Sequence, residues 1–338
     1  MTFDFISRII LCIAFAGAAS AASFEGADRW WNWWGQTGIS EDLNDLDLIL
    51  YTYENPSFTF KLDSDSQELL NHGFDPNKPT RLLSHGYTDN GPRFCSDFVQ
   101  AYENDPNETF NIICIDWQIL AKADEPVFEG AARNAIKVGK AVGEKVVAKM
   151  LIGDLGQDPN KIQAVGHSMG GQLVGNVGRS AYEFSNQKIA RVTGLDVAQM
   201  YFDSHLSEDT IRPDDAKLVD IHHTDSGPNS ASTMEAIGMV DFYPNGGIGM
   251  AGCEWSWFAS ACNHMKTVDY YVDSVNNRND ANYLAGTKCD SYEEYQAGFC
   301  DQNEKLPMGE ALTLEMVNLT GEKMKFYLNT NANPPFGQ

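Results

Sequence analysis

Short apolar runs alternate along the chain with longer stretches whose apolar residues recur every three or four positions. Leu48-Ile49-Leu50-Tyr51-Thr52, Thr80-Arg81-Leu82-Leu83-Ser84 and Asn111-Ile112-Ile113-Cys114-Ile115 have the length and composition of strands. Residues 127–151 carry Val127, Ala131, Ala135, Val138, Val142, Val146 and Met150 in helical spacing, which sets one apolar stripe against a core. Lys161 to Val165 predicts the next strand and Gln172 to Tyr182 the next helix. Ile189 to Leu195 and Lys217 to His222 add two strands, and Val268 to Val275 another helical pattern. This alternation predicts one α/β domain, with a mostly parallel central sheet and helices on both faces.

The first residues follow a different rule. Arg8 precedes the apolar run Ile9 to Ala16, and Ala19-Ser20-Ala21 fits a small-residue cleavage site. The run is too short to span a bilayer but suits the core of a signal peptide. Residues 1–21 are therefore expected to direct secretion to the extracellular space, leaving 22–338 as a single domain. Cleavage removes Cys12, and six cysteines remain: Cys95, Cys114, Cys253, Cys262, Cys289 and Cys300. An even number in an oxidising compartment predicts disulfides, although six cysteines allow 15 pairings. Proximity favours Cys95–Cys114, Cys253–Cys262 and Cys289–Cys300. Zinc is disfavoured because no C-x-x-C spacing occurs. Asn107-Glu108-Thr109 and Asn318-Leu319-Thr320 are glycosylation sequons, in keeping with a secretory route.

Charge narrows the partners. Lys and Arg number 24 against 47 Asp and Glu, a formal charge of −23. That excludes nucleic acid, which needs a basic face, and disfavours strongly anionic membranes. With 43% apolar and 11% aromatic residues, the chain is not disordered.

Gly166-His167-Ser168-Met169-Gly170 fits G-x-S-x-G, between a strand-like run and a helical one. A sharp strand–turn–helix projects such a serine from the sheet and places it at a helix N-terminus, where negative charge is favoured. Ser168 is therefore the candidate nucleophile, and the pattern predicts an α/β-hydrolase with the order serine, acid, histidine. Asp196 ends the run Gly194-Leu195-Asp196 and is the first acid candidate, with Asp225 its rival. Of His205, His222, His223 and His264, the last stands beside Cys262, where a disulfide would hold an imidazole firmly. His222 and His223, at a strand end where core packing or turn hydrogen bonding is the ordinary explanation, come a distant second to His264. For an oxyanion hole, Met169 supplies one amide and Tyr87, in Ser84-His85-Gly86-Tyr87-Thr88-Asp89-Asn90, the other.

These segments resemble the pancreatic-lipase family of secreted lipases and phospholipases A1. The matching residues are Leu50-Tyr51-Thr52 with Asn55-Pro56, Ser84 to Gly91, Gly166 to Gly170, and Thr193-Gly194-Leu195-Asp196. Phe242-Tyr243-Pro244-Asn245-Gly246-Gly247 and Cys262-Asn263-His264 follow in the family's order. The resemblance implies a Ser168–Asp196–His264 triad, Tyr87 and Met169 as oxyanion donors, and hydrolysis of glycerolipid esters.

The chain departs from the family pattern in three places. It ends at Gln338, soon after the catalytic domain should finish, so colipase is not expected as a partner. The family's lid falls between Cys253 and Cys262, and only eight residues (254–261) lie there, among them Trp255, Trp257 and Phe258. In the family, short lids accompany phospholipase A1 activity more often than triacylglycerol specificity. The family's calcium loop resembles residues 210–216, but Arg212 stands where an acidic ligand is expected. Asp214 and Asp215 alone leave a structural calcium doubtful, and no cofactor is required.

Trp30-Trp31-Asn32-Trp33-Trp34 concentrates aromatics near the expected N-terminus; such residues suit either a lipid surface or packing across a groove. The lid aromatics are expected at a neutral or zwitterionic lipid–water interface. A rival reading is a non-catalytic, yolk-type lipid carrier of the same fold. Carriers of that kind have typically lost the nucleophile, which this chain keeps.

Overall fold

The computed structural model describes residues 40–338, except 54, 106–107, 123–128, 203–206, 228–229, 231, 254–258, 319–320 and 322. The signal segment, Cys12, Trp30 to Trp34, Asn107, His205 and the lid aromatics Trp255, Trp257 and Phe258 therefore lie outside the described residues.

The strands are β1 (Asp47–Thr52), β2 (Asn55–Phe60), β3 (Thr80–Ser84), β4 (Asn111–Asp116), β5 (Ile162–His167) and β6 (Arg191–Leu195). They continue with β7 (Leu218–His222), β8 (Val240–Pro244), β9 (Ala285–Lys288), β10 (Lys305–Pro307) and β11 (Met324–Leu328). One sheet holds them in the order β10-β9-β11-β8-β7-β6-β5-β3-β4-β1-β2. From β4 through β3, β5, β6, β7 and β8 to β11 every pairing is parallel. Antiparallel strands are confined to the two margins.

The long helices are α1 (Gly91–Glu103), α2 (Glu129–Ala141), α3 (Met169–Ser185) and α4 (Ala259–Asn276). The 127–151 pattern divides: α2 runs on into a π-helix over Val142–Asp154. Strand residues alternate between two cores. Leu82, Ile113, Ala164 and Val192 meet α2, the π-helix and α3 on one face. Leu83, Cys114, Val165 and Leu195 meet α1 and α4 on the other. Burial on both faces is why these strands read as apolar-rich runs without strict alternation. The three neighbouring cysteine pairs are all joined, Cys95–Cys114 tying α1 to β4.

Two buried ion pairs lock the C-terminal segment to the sheet. The Arg191 guanidinium holds both oxygens of Asp220 at 2.7 Å and donates to the Leu312 and Gly309 carbonyls at 2.9 Å. Glu310 accepts from Arg81 Nη2 at 2.6 Å and from the hydroxyls of Tyr102 and Tyr271 at 2.8 Å. Buried charges of this kind persist only when every polar atom finds a partner. Among the described residues no helix is long and apolar enough to cross a membrane.

Candidate active site

β5 ends at His167 and α3 begins at Met169, so Ser168 alone makes the turn. Its backbone sits at φ 57° and ψ −121°, a conformation costly for a residue with a Cβ. The turn closes only because its flanks are bare. A Cβ on Gly166 would lie 2.0 Å from the Gly170 carbonyl oxygen, and one on Gly170 2.5 Å from the carbonyl oxygens of Ser84 and His85. Backbone bonds hold the turn: Ser168 N–H donates to Leu195 O at 2.9 Å and Ala198 N–H to Ser168 O at 3.2 Å.

The loop after β3 lies directly against this turn, since a Cβ on Gly86 would stand 3.0 Å from that of Ser168. Trp117 fixes the loop, its indole N–H donating to His85 O at 2.9 Å and its amide to His85 Nε2 at 3.2 Å. Asp116 accepts the Gly91 amide at 3.0 Å, and Asn90 caps α1 through the Arg93 amide. Tyr87 follows Gly86 in this loop and is partly buried. Met169 is the first residue of α3, so its amide belongs to the helix end whose N–H groups lie outside the helical ladder. Met169 thus adjoins Ser168 in the chain, and Tyr87 lies in the loop whose Gly86 packs against it.

Asp196 follows β6 and is fully buried, with φ 44°. Its Oδ1 accepts the amides of Thr224 at 2.8 Å and Asp225 at 2.9 Å. Its Oδ2 accepts the Ser232 hydroxyl at 2.7 Å and His264 Nδ1 at 2.5 Å. The imidazole of His264, on α4, is 17% exposed, and Ser168 is 8% exposed. The acid is sealed, the serine is nearly so, and the histidine is partly exposed. Burial alone would raise the Asp196 carboxyl, but His264 and these donors hold it below its ordinary value. Burial alone would lower His264, yet Asp196 keeps it raised above 6.5.

Because Nδ1 donates to Asp196, the Nε2 lone pair of neutral His264 is left to take a proton. An arrangement of this kind can activate a hydroxyl, stabilise the resulting imidazolium and bind an oxyanion at paired amides.

The other candidates have structural partners. His222 bonds Asp220 at 3.1 Å, and His223 bonds Asp241 at 2.8 Å and the Thr233 carbonyl at 2.9 Å. Asp225 gives its amide to Asp196, while its carboxylate accepts the Ser260 hydroxyl at 2.6 Å. Asn318 is exposed. Two residues escaped the sequence reading. Ser232 bridges acid and histidine, also lying 3.3 Å from His264 Nδ1. His167 donates from Nε2 to the His264 carbonyl at 3.0 Å, and burial, aided by the His264 charge, lowers its pKa to about 3. Neither carries a sequence signal: Ser232 is one serine in a polar loop, and His167 fills an unspecified motif position.

A parallel sheet with a serine turn at its C-terminal edge, followed in chain order by an acid and a histidine, defines an α/β-hydrolase. Within that class, the chain belongs to the family described as Lipase, whose profile matches residues 35–336.

It is 33% identical over 317 residues to the pancreatic triacylglycerol lipase of Oryctolagus cuniculus, covering 86% of this chain and 64% of that protein. The inactive pancreatic lipase-related protein 1 of Homo sapiens is 28% identical, covering 90% and 69%. The chain thus spans just under two thirds of the Oryctolagus cuniculus lipase. A solved carboxylesterase structure from Bacillus cereus gives a TM-score of 0.32 at 14% identity, covering 50% of this chain and 79% of that one.

Proposed function

We propose that this protein is a secreted serine hydrolase that releases fatty acids from glycerolipids through an acyl-enzyme. The observations supporting this reading are Ser168 held at positive φ and an α4 histidine whose Nδ1 is bonded to buried Asp196 and whose carbonyl is bonded by His167, the neighbour of Ser168. Ser168 Oγ attacks the ester carbonyl as His264 Nε2 takes its proton, and the Tyr87 and Met169 amides hold the oxyanion. The tetrahedral intermediate collapses, His264 protonates the departing alcohol, and acyl-Ser168 remains. Water activated by the same histidine then frees the acid.

A short lid between Cys253 and Cys262, eight residues by sequence, supports phospholipase A1 activity over triacylglycerol hydrolysis. Trp255, Trp257 and Phe258 there are apolar residues suited to a lipid surface. The net charge of −23 favours neutral or zwitterionic lipid.

Labelling by a fluorophosphonate ester tests the nucleophile: modification of Ser168 is expected, and an unreactive protein would instead support a lipid carrier. Initial rates on phosphatidylcholine vesicles should exceed those on triolein emulsion. The reverse order would assign a triacylglycerol lipase.

A further inference from the structure

Where the loop after β6 meets α3, several oxygens converge on one side chain. Arg179, on α3, donates from Nε to Asp215 Oδ1 at 2.9 Å and from Nη2 to Asp215 Oδ2 at 3.1 Å. The same Nη2 reaches the Thr210 carbonyl at 2.6 Å, and Nη1 reaches that of Glu208 at 3.3 Å. The Asp215 side chain is fully buried. This is the loop that the family resemblance marks for calcium.

The residues present do not fit that ion. Calcium requires six to eight oxygen ligands, carboxylates among them. Both Asp215 oxygens are engaged by Arg179, and Oδ2 also accepts the Arg212 amide at 2.9 Å. Asp214 is turned outward, 88% exposed, with Lys188 3.8 Å away. At the position expected to be acidic, Arg212 brings a second guanidinium to 3.7 Å from Asp215. A divalent cation here would face two fixed positive charges, with Asp215 already held by Arg179, and with Asp209, 4.0 Å from Arg179, paired with Lys140 at 2.8 Å.

We infer that the Arg179 guanidinium replaces the calcium ion in this chain, closing the 208–215 loop onto α3 with a covalently supplied cation. A guanidinium suits the task because its planar fork satisfies a carboxylate and backbone carbonyls together. The closure reaches the candidate active site. Gln172 accepts the Ile211 amide at 2.8 Å and donates to Ala198 O at 2.7 Å, and Ala198 in turn bonds Ser168 O.

The test is thermal unfolding of the full chain in calcium chloride and in chelator, a readout independent of the proposed activity. Calcium should leave Tm unchanged within about 1 °C, where a filled site would raise it by roughly 5 °C. Arg179→Gln should lower Tm by roughly 5–10 °C in both solutions, because a buried carboxylate loses its counter-charge. A calcium-dependent rise in the native protein would overturn the inference, even if the variant cannot be folded. So would an Arg179→Gln protein that melts with the native one.

Discussion

Asp196 and His264 share a 2.5 Å hydrogen bond, although one follows strand β6 and the other lies 68 positions further along the chain. The bond fixes which imidazole nitrogen is free. Asp196→Asn should therefore leave the fold intact and lower kcat by roughly 10³- to 10⁴-fold, with KM little changed. Steady-state kinetics on a soluble ester decide this, and near-native turnover would remove Asp196 from the mechanism.

The same pair sets a pH dependence. His264 is raised above 6.5 and must be neutral to accept a proton, so kcat/KM should fall as pH drops through that raised value. Asp196→Asn removes the cause, so the acidic limb of its residual activity should move to lower pH. An unmoved limb would mean that another group titrates. In stability, the His264 contribution is full below its unfolded-state pKa and lost as pH rises through the folded one. The Asp196 contribution is present above 3.8 and lost as pH falls through its lowered folded value.

Ser232 makes a subtler demand. Its hydroxyl bonds the oxygen that receives His264, so Ser232→Ala should cost about 1–2 kcal/mol of transition-state stabilisation, or roughly 5- to 30-fold in kcat. Equal loss in thermal stability with unchanged kcat would reassign Ser232 to the scaffold.

Glu310 offers a test of the fold. Its carboxylate is 3% exposed and pairs with Arg81. Glu310→Ala strands that guanidinium and should cost about 3–5 kcal/mol in urea unfolding. A loss below about 1 kcal/mol would mean that the pair behaves as a surface bridge.

The strands from β3 to β7 were legible because both faces are buried, so runs such as Ile162 to Val165 are mostly apolar, with Gln163 the one polar residue. The outermost strands were not. β2 begins Asn55-Pro56, and proline demotes a run unless it lies at an edge, which β2 does. β9 is Ala285-Gly286-Thr287-Lys288, too short and too mixed to signal a strand. At the site, Ser168 announced itself through its glycines, and Asp196 and His264 through their places after a strand and beside a cysteine. Arg179 could not be read this way: on an amphipathic helix an arginine is expected in water, and only folding brings the Thr210 carbonyl to it. Arg212 was visible, but its meaning depended on where Asp215 pointed.

The left-handed backbone at Ser168 has a consequence for descent. Strain of this sort stores about 1–3 kcal/mol, and a glycine at position 168 would release it. Selection for stability alone would therefore favour glycine over serine at position 168. An inactive human protein, 28% identical to this one, illustrates that ester-cleaving ability and family membership can part. A serine kept at this costly geometry is what the proposed nucleophilic role requires and what a role in packing alone does not.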